Sequence, residues 1–313
     1  MANMKELRVR IHSVRETKKI TNAMYRISSA KVRRARADLA KTRPYFRALS
    51  TEIKRIFRTV GKSDSRYFYP NAEEPPLDGT YGYLVITSDR GLAGAYNQNV
   101  LKEAQRLMKE HPDCLLFPVG DYGKRFFLTH HIPVEQSFLY AAQAPTFDRA
   151  REIAARLLEY FDDHKIQKLF IVYTDLEGGM STRVKTVRLL PLHHEQFAGE
   201  GEKAVKTPFE FLPSVNFVLE NIVPGYVAGF IYSAIVDSFC CEHNARMEAM
   251  DSANRNAEKI LAQLQAAYNH ERQNLITGEI TEISASAKYH KAKKEAQEHE
   301  DDGENCEDQR IGG

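Results

Sequence analysis

The sequence predicts an α/β protein in two parts: a long antiparallel two-helix coiled coil made by the chain's ends, and a small α/β domain between them. Three observations predict it. A heptad seam runs from Leu7 to Val60, a second seam of opposite charge occupies the last third, and between them apolar strand-like runs alternate with amphipathic helical ones.

Stepping from Leu7 by four and three residues gives Leu7, Ile11, Val14, Lys18, Thr21, Tyr25, Ser28, Val32, Ala35, Leu39, Thr42, Phe46, Leu49, Ile53, Ile56 and Val60. Twelve of these 16 are apolar, aromatic or Ala, which a coiled-coil helix requires; Lys18, Thr21 and Ser28 make the first half the weaker. Residues 1–62 therefore read as one coiled-coil helix, with Pro44 expected to bend it or break its hydrogen-bond ladder. From Met1 to Val60 there are 17 Lys or Arg and four acids, a balance of 17 − 4 = +13, which calls for a long anionic partner or a solvated face.

The same spacing returns in Met247, Met250, Asn254, Ala257, Leu261, Leu264, Tyr268, Glu271 and Leu275, within a second coiled-coil segment at 208–283. Asp237 to Ile283 holds eight acids and four basic residues, a balance of −4, so the two helices are complementary and can return antiparallel. Residues 284–313 begin with Lys288, Lys291, Lys293 and Lys294 and end in eight acids between Glu295 and Gln309, a charged tail expected to be disordered in isolation.

A Pro-containing linker at 63–78 leads into the central domain, 79–207. Tyr81 to Thr87, Leu115 to Val119 and Leu169 to Tyr173 read as buried strands, separated by helices around Asn99–Lys109 and Phe147–Tyr160. Arg183 to Leu189 alternates with period two and reads as an edge strand.

Several function classes lose support at this stage. A net charge of +2 is too small for a bulk nucleic-acid binder, and the basic stretch carries no recognised DNA- or RNA-binding motif. Gly61-Lys62-Ser63 ends like a phosphate loop, but Ile56 stands where its first glycine belongs. Ser88-Asp89-Arg90-Gly91-Leu92-Ala93-Gly94 lacks the three-glycine dinucleotide fingerprint and reads as a tight turn in which Ser88 or Asp89 caps the next helix. His130-His131 and His193-His194 lack accompanying Cys or carboxylates, and neighbours on a strand face opposite ways, so no metal is expected. No nucleophile–base–orienter pattern emerges, and neither catalytic residues nor a cofactor is assigned. Four cysteines make no disulfide framework, and the N-terminus lacks a secretory h-region. The most apolar stretch, Ile222 to Cys241, contains Pro224, Gly225, Gly229 and Asp237 and falls short of a span of roughly 20 residues, so direct membrane insertion is not expected.

Three motifs, in register, carry a resemblance. Lys18-Lys19-Ile20-Thr21-Asn22-Ala23-Met24 with Ile27 to Ala35, Thr87-Ser88-Asp89-Arg90-Gly91-Leu92, and Arg246 to Met250 with Tyr268 to Gln273 and Ile276 to Ile283 together resemble the F-type ATP synthase gamma subunits. The resemblance implies a non-catalytic rotor shaft, a coiled coil inside an alpha–beta hexamer, with the Rossmann-like α/β domain near the epsilon subunit and the membrane c-subunit ring. It implies the cytoplasmic face of a bacterial membrane, and no nucleic acid. By motif, hexamer contacts fall on Arg272, Gln273 and Thr277, and a helix-packing methionine on Met24. The chain departs from the family at Ala93 and Ala95, where Cys and Gly are common, at Leu212, where an acid often precedes the proline, and in its extended tail.

Overall fold

The computed structural model describes residues 4–60, 65–68, 79–135, 137–138, 140–177, 181–192 and 211–307. Most of the expected linker at 63–78, the Gly61-Lys62-Ser63 triplet, the pair His193-His194 and the last residues of the tail lie outside these. The elements are α1 (Met4–Val60), β1 (Tyr81–Ile86), α2 (Tyr96–Glu110), β2 (Cys114–Val119), α3 (Asp121–Thr129), α4 (Phe147–Asp162), β3 (Lys168–Glu177), β4 (Ser181–Leu190) and α5 (Val215–Glu307). Every strand read from the sequence is present; α3 is an addition, nine residues that composition alone does not separate from a loop. The residues form two compact units, one of the chain ends up to Thr21 and from Ser252, the other Asn22–Asp251. Composition puts the domain boundaries at the helix ends; compactness puts them inside both long helices.

In the end-built unit, α1 and α5 are antiparallel. Arg8 Nη2 donates to the Tyr268 hydroxyl at 3.0 Å, Arg15 Nη2 to Gln265 Oε1 at 3.4 Å, and Lys18 Nζ to Glu258 Oε1 at 2.7 Å, so rising numbers on one helix meet falling numbers on the other. The polar seam positions are matched across the pair: Thr21 hydrogen-bonds the side chain of Asn254. Such polar pairs contribute little stability but reject shifted registers, because any slip would leave them facing apolar neighbours. Leu7 and Ile11 are buried beside them.

The sheet of the Asn22–Asp251 unit has the order β2-β1-β3-β4, with β1 parallel to β2 and β3, and β4 an antiparallel edge. Alternation divides its faces. Leu84, Ile86, Phe117, Leu169 and Ile171 face one core with α4, Val32 to Ile56 of α1 and Leu219 to Cys240 of α5. Tyr83, Val85, Leu116 and Val172 face the other, closed by Val100, Leu101 and Ala104 of α2 and Phe127 of α3.

Pro44, expected to bend α1 or break its hydrogen-bond ladder, lies within a continuous helix that lacks that one bond, and α5 likewise continues through Pro224. Pro44 and Ala40 are exposed, as is Glu220, so water can meet the carbonyl each proline leaves without its N–H partner. Gly229 does not interrupt α5; it admits α1, because a Cβ there would stand 2.1 Å from the ring of Phe46, which packs on Phe147 and Tyr232. By length and composition α5 contains a stretch able to cross a bilayer, and 61% of that stretch is buried within the protein.

The tail reading is also revised. Residues 284–307, expected to be disordered, continue α5 as helix. Ser284 to Lys294 are all exposed, so few apolar groups correctly meant no packing; Ala, Lys and Glu nonetheless have high intrinsic helix propensity.

Gly120, between β2 and α3, has φ +93°, and a Cβ there would stand 2.4 Å from the Thr87 carbonyl oxygen. Gly120→Ala should therefore destabilise by about 2 kcal/mol or more. Gly91→Ala, with open space around it, should cost under about 0.5 kcal/mol. Thermal unfolding of the two variants checks the contrast.

Candidate functional site

The β1–α2 turn is fastened from three directions. Ser88 is fully buried; its hydroxyl donates to the Arg90 carbonyl at 2.6 Å and accepts from Asn97 Nδ2 at 2.7 Å, while its N–H donates to Asn97 Oδ1 at 3.0 Å. The Asp89 carboxylate accepts the backbone N–H groups of Asp121, Ala142 and Gln143 at 3.1, 2.9 and 2.8 Å. This corrects the capping expectation: the N-cap of α2 is Ala95, which offers no side-chain bond, and Asp89 instead caps α3 across the sheet edge. Chain order suggested the nearer helix, whereas the parallel pairing of β1 and β2 brings the more distant one alongside.

The third fastening comes from α5. Arg246, buried, donates through Nη2 to the carbonyls of Arg90 and Gly91 at 3.2 and 3.0 Å, and through Nη1 to Glu242 at 2.7 Å and His243 Nδ1 at 3.1 Å. Arginine can only donate, so that imidazole nitrogen accepts and the ring is neutral. Burial, with Arg246 and Lys31 nearby, pushes His243 down to about 3. Burial outweighs the ion pair at Glu242 and raises its carboxyl above the usual range. The sequence motifs containing Arg90 and Arg246 lie far apart, and no spacing rule shows that they meet; the Glu242–Arg246 separation of four was the legible part.

At the tip of this turn Leu92 is 64% exposed with φ 62°, an uncommon conformation for a residue with a Cβ. The departures from the family at Ala93 and Ala95 are accommodated. Ala95 has φ −86°, open to any residue, and Ala93 packs under the turn against Tyr96 and Cys241. Beside the turn, at the carboxyl ends of β1 and β2, a cleft of about 920 Å³ is lined by Asp89, Arg90, Asp121, Tyr122, Arg125 and His130. His130 caps the end of α3, its ring stacked on Phe126 and its Nδ1 2.8 Å from the Phe126 carbonyl, and His131 has φ 54°. They terminate a helix. Among the described residues no cluster of His, Cys, Asp and Glu could hold a metal ion.

Of the residues assigned by motif, Met24 is half-buried on α1, in the Asn22–Asp251 unit. Arg272, Gln273 and Thr277 lie on α5 in the other unit, all exposed. Gln273 and Thr277 are one turn apart on a shared face, with Arg272 about 100° around the axis from Gln273. The seam residues of α5 are covered as far as Glu271, beyond which Leu275, Ile276, Ile280 and Ile283 are exposed.

A family model described as ATP synthase matches residues 3–289. The ATP synthase gamma chain of Acetivibrio thermocellus is 37% identical, covering 92% of this chain and 99% of its own length. That of Caldanaerobacter subterraneus is 40% identical over 90% and 98%. The chain belongs to the ATP synthase gamma-chain family. A chain of the Euglena gracilis mitochondrial ATP synthase shares the fold, with a TM-score of 0.61 at 19% identity over 93% of this chain and 95% of its own. A chain of the central stalk and c-ring structure from Tetrahymena thermophila aligns over 75% of this chain and 99% of its own, with a TM-score of 0.53 at 21% identity. Within this family the matched region ends at residue 289, whereas α5 continues to Glu307.

Two stability measurements test these assignments. Arg246→Ala should cost about 3–5 kcal/mol, because it strands Glu242 in a buried site, and the double replacement Glu242→Leu with Arg246→Met should recover most of it. Urea unfolding reads both. Asp237, half-buried near Asp175, is pushed up to about 6, chiefly by burial. Between about pH 4 and 6 the folded chain therefore holds a proton that the unfolded chain releases, and this contribution to stability declines as pH rises through that window. Asp237→Asn should flatten that decline and stabilise at pH 8 by on the order of 2 kcal/mol, read as the pH dependence of the difference in Tm.

Proposed function

We propose that the chain is the central rotor shaft of an F-type ATP synthase, non-catalytic by itself. It couples ion flow through the membrane sector to conformational change, and so to ATP synthesis or hydrolysis, in a hexamer of alpha and beta subunits. The epsilon subunit and the membrane c-subunit ring are its other partners, on the cytoplasmic face of a bacterial membrane.

The observation that carries this reading is the agreement with bacterial gamma chains along nearly their whole length, 99% of one and 98% of the other. The geometry of α5 supports it. Past Glu271 the helix presents Ile276, Ile280 and Ile283 to solvent at spacings of four and three, an apolar stripe that suits a surrounding partner. A helix whose sides differ has a different interaction free energy with each subunit around it. Turning it biases each catalytic site toward a different conformation in sequence, and by reciprocity nucleotide binding at those sites biases the angle of the helix.

Arg272 and Gln273 supply the grip. A guanidinium gives charge-assisted hydrogen bonds and an amide both donates and accepts, and both groups are exposed on α5, with Thr277 on the same face as Gln273. Met24 serves in helix packing. Replacing Arg272 and Gln273 together by Ala should leave the chain folded and the complex assembled while lowering the number of ions pumped per ATP hydrolysed. An unchanged ratio in an assembled complex would remove both from the coupling surface.

A further inference from the structure

Leu92 stands in a backbone conformation that its side chain disfavours, and it adds little to the core. Its φ is 62°, and it is 64% exposed. The left-handed region crowds a Cβ, so leucine there costs free energy that glycine avoids. Two residues on, the chain meets the same demand with Gly94, at φ +53°. At position 92 it keeps a large apolar group and leaves it in water. Within the chain that group brings strain and recovers little burial.

The turn that carries it is nevertheless held firmly. Arg246 grips the carbonyls of Arg90 and Gly91, the two residues before Leu92, at 3.2 and 3.0 Å, while Ser88 and Asp89 fix the turn's start. Because Arg246 belongs to α5 and is buried, a load on the turn's tip passes into that helix through charge-assisted bonds instead of being absorbed by a loose loop. Strain that persists at a rigidly held, exposed position points to a contact with another molecule. Arg90, two residues before the tip, is also exposed and, among the described residues, has no ion-pair partner. An apolar recess with a carboxylate at its edge matches both groups.

We propose that Leu92 is a coupling contact of the shaft, seated in an acid-edged apolar recess on a surrounding subunit, and that Arg246 is the residue that positions it. This rests on the rotor reading and adds to it a second contact, on the sheet-bearing unit and separate from Arg272 and Gln273. Leucine at this position trades stability of the free chain for transmission of force to α5.

The test uses the full-length chain, alone and reassembled with alpha and beta subunits and the membrane sector. Leu92→Gly relieves the strain, and Leu92→Asn keeps the left-handed backbone with a polar side chain that tolerates it. Both variants should match or exceed the parent chain in Tm when free. In the complex both should bind the hexamer about tenfold more weakly, the change expected when one buried leucine contact is lost, and pump fewer ions per ATP hydrolysed. Glu242→Leu with Arg246→Met, which leaves Leu92 in place but releases the turn, should lower the pumping ratio likewise. The contact is overturned if Leu92→Asn binds and pumps as the parent does, or if Leu92→Gly lowers the Tm of the free chain by more than about 2 °C, because the leucine then serves the fold. An unchanged ratio in the Glu242–Arg246 double variant removes Arg246 as the positioning residue. A parent chain that drives no pumping at all overturns the rotor reading and this contact with it.

Discussion

The inner half of α5 is buried on two sides at once, by α1 and by the sheet, and the rest of the Asn22–Asp251 unit is arranged around that constraint. Leu219, Val223, Val227 and Ile231 have no exposed surface. A helix apolar enough to satisfy two partners passes the composition test for a membrane span, yet here most of its apolar area is spent on protein. Glycine at 229 is the condition for that arrangement, because α1 can approach only where α5 has no side chain.

A helix buried on two sides still needs to be held at one rotation and one height, and apolar contacts alone specify those poorly. Polar groups do so here. Arg246 reaches out of α5 to two carbonyls of the β1–α2 turn and is neutralised by Glu242 on its own helix. Asp89 ties the same turn to α3 and the loop at Ala142. Burying such charges contributes little net stability, and leaving any of them unpaired is expensive, so the network acts mainly by excluding other arrangements. In the unit built from the chain ends, Thr21 with Asn254 and Lys18 with Glu258 serve the same purpose along the coiled coil.

The long helices also show why a weak stretch in a seam carries information. Lys18, Thr21 and Ser28 look like defects in a heptad pattern, and read as a count they weaken it. Two of them face polar groups on α5, and Ser28 is buried at 1% exposure. Past Glu271 the apolar residues Ile276, Ile280 and Ile283 are exposed among the described residues. The exposed isoleucines there suit the surrounding partner that the proposed rotor role supplies.

By itself the sequence determined the periodic features: both long helices, the three apolar strands with their edge neighbour, and the family, since heptad spacing, alternation and ordered motifs are local and survive without coordinates. It also placed Arg272, Gln273 and Thr277 on one helix, because spacing of one and four residues maps directly onto a helical surface. Only the tertiary structure decided which helix Asp89 caps, what Arg246 holds, and that Gly229 is a contact and not a break. Each depends on residues far apart in the chain being brought together by the parallel sheet or by the crossing of α1 and α5. Intrinsic helix propensity carried the tail onward as helix where composition argued for disorder, because the compositional rule measures the capacity to pack and not the capacity to coil.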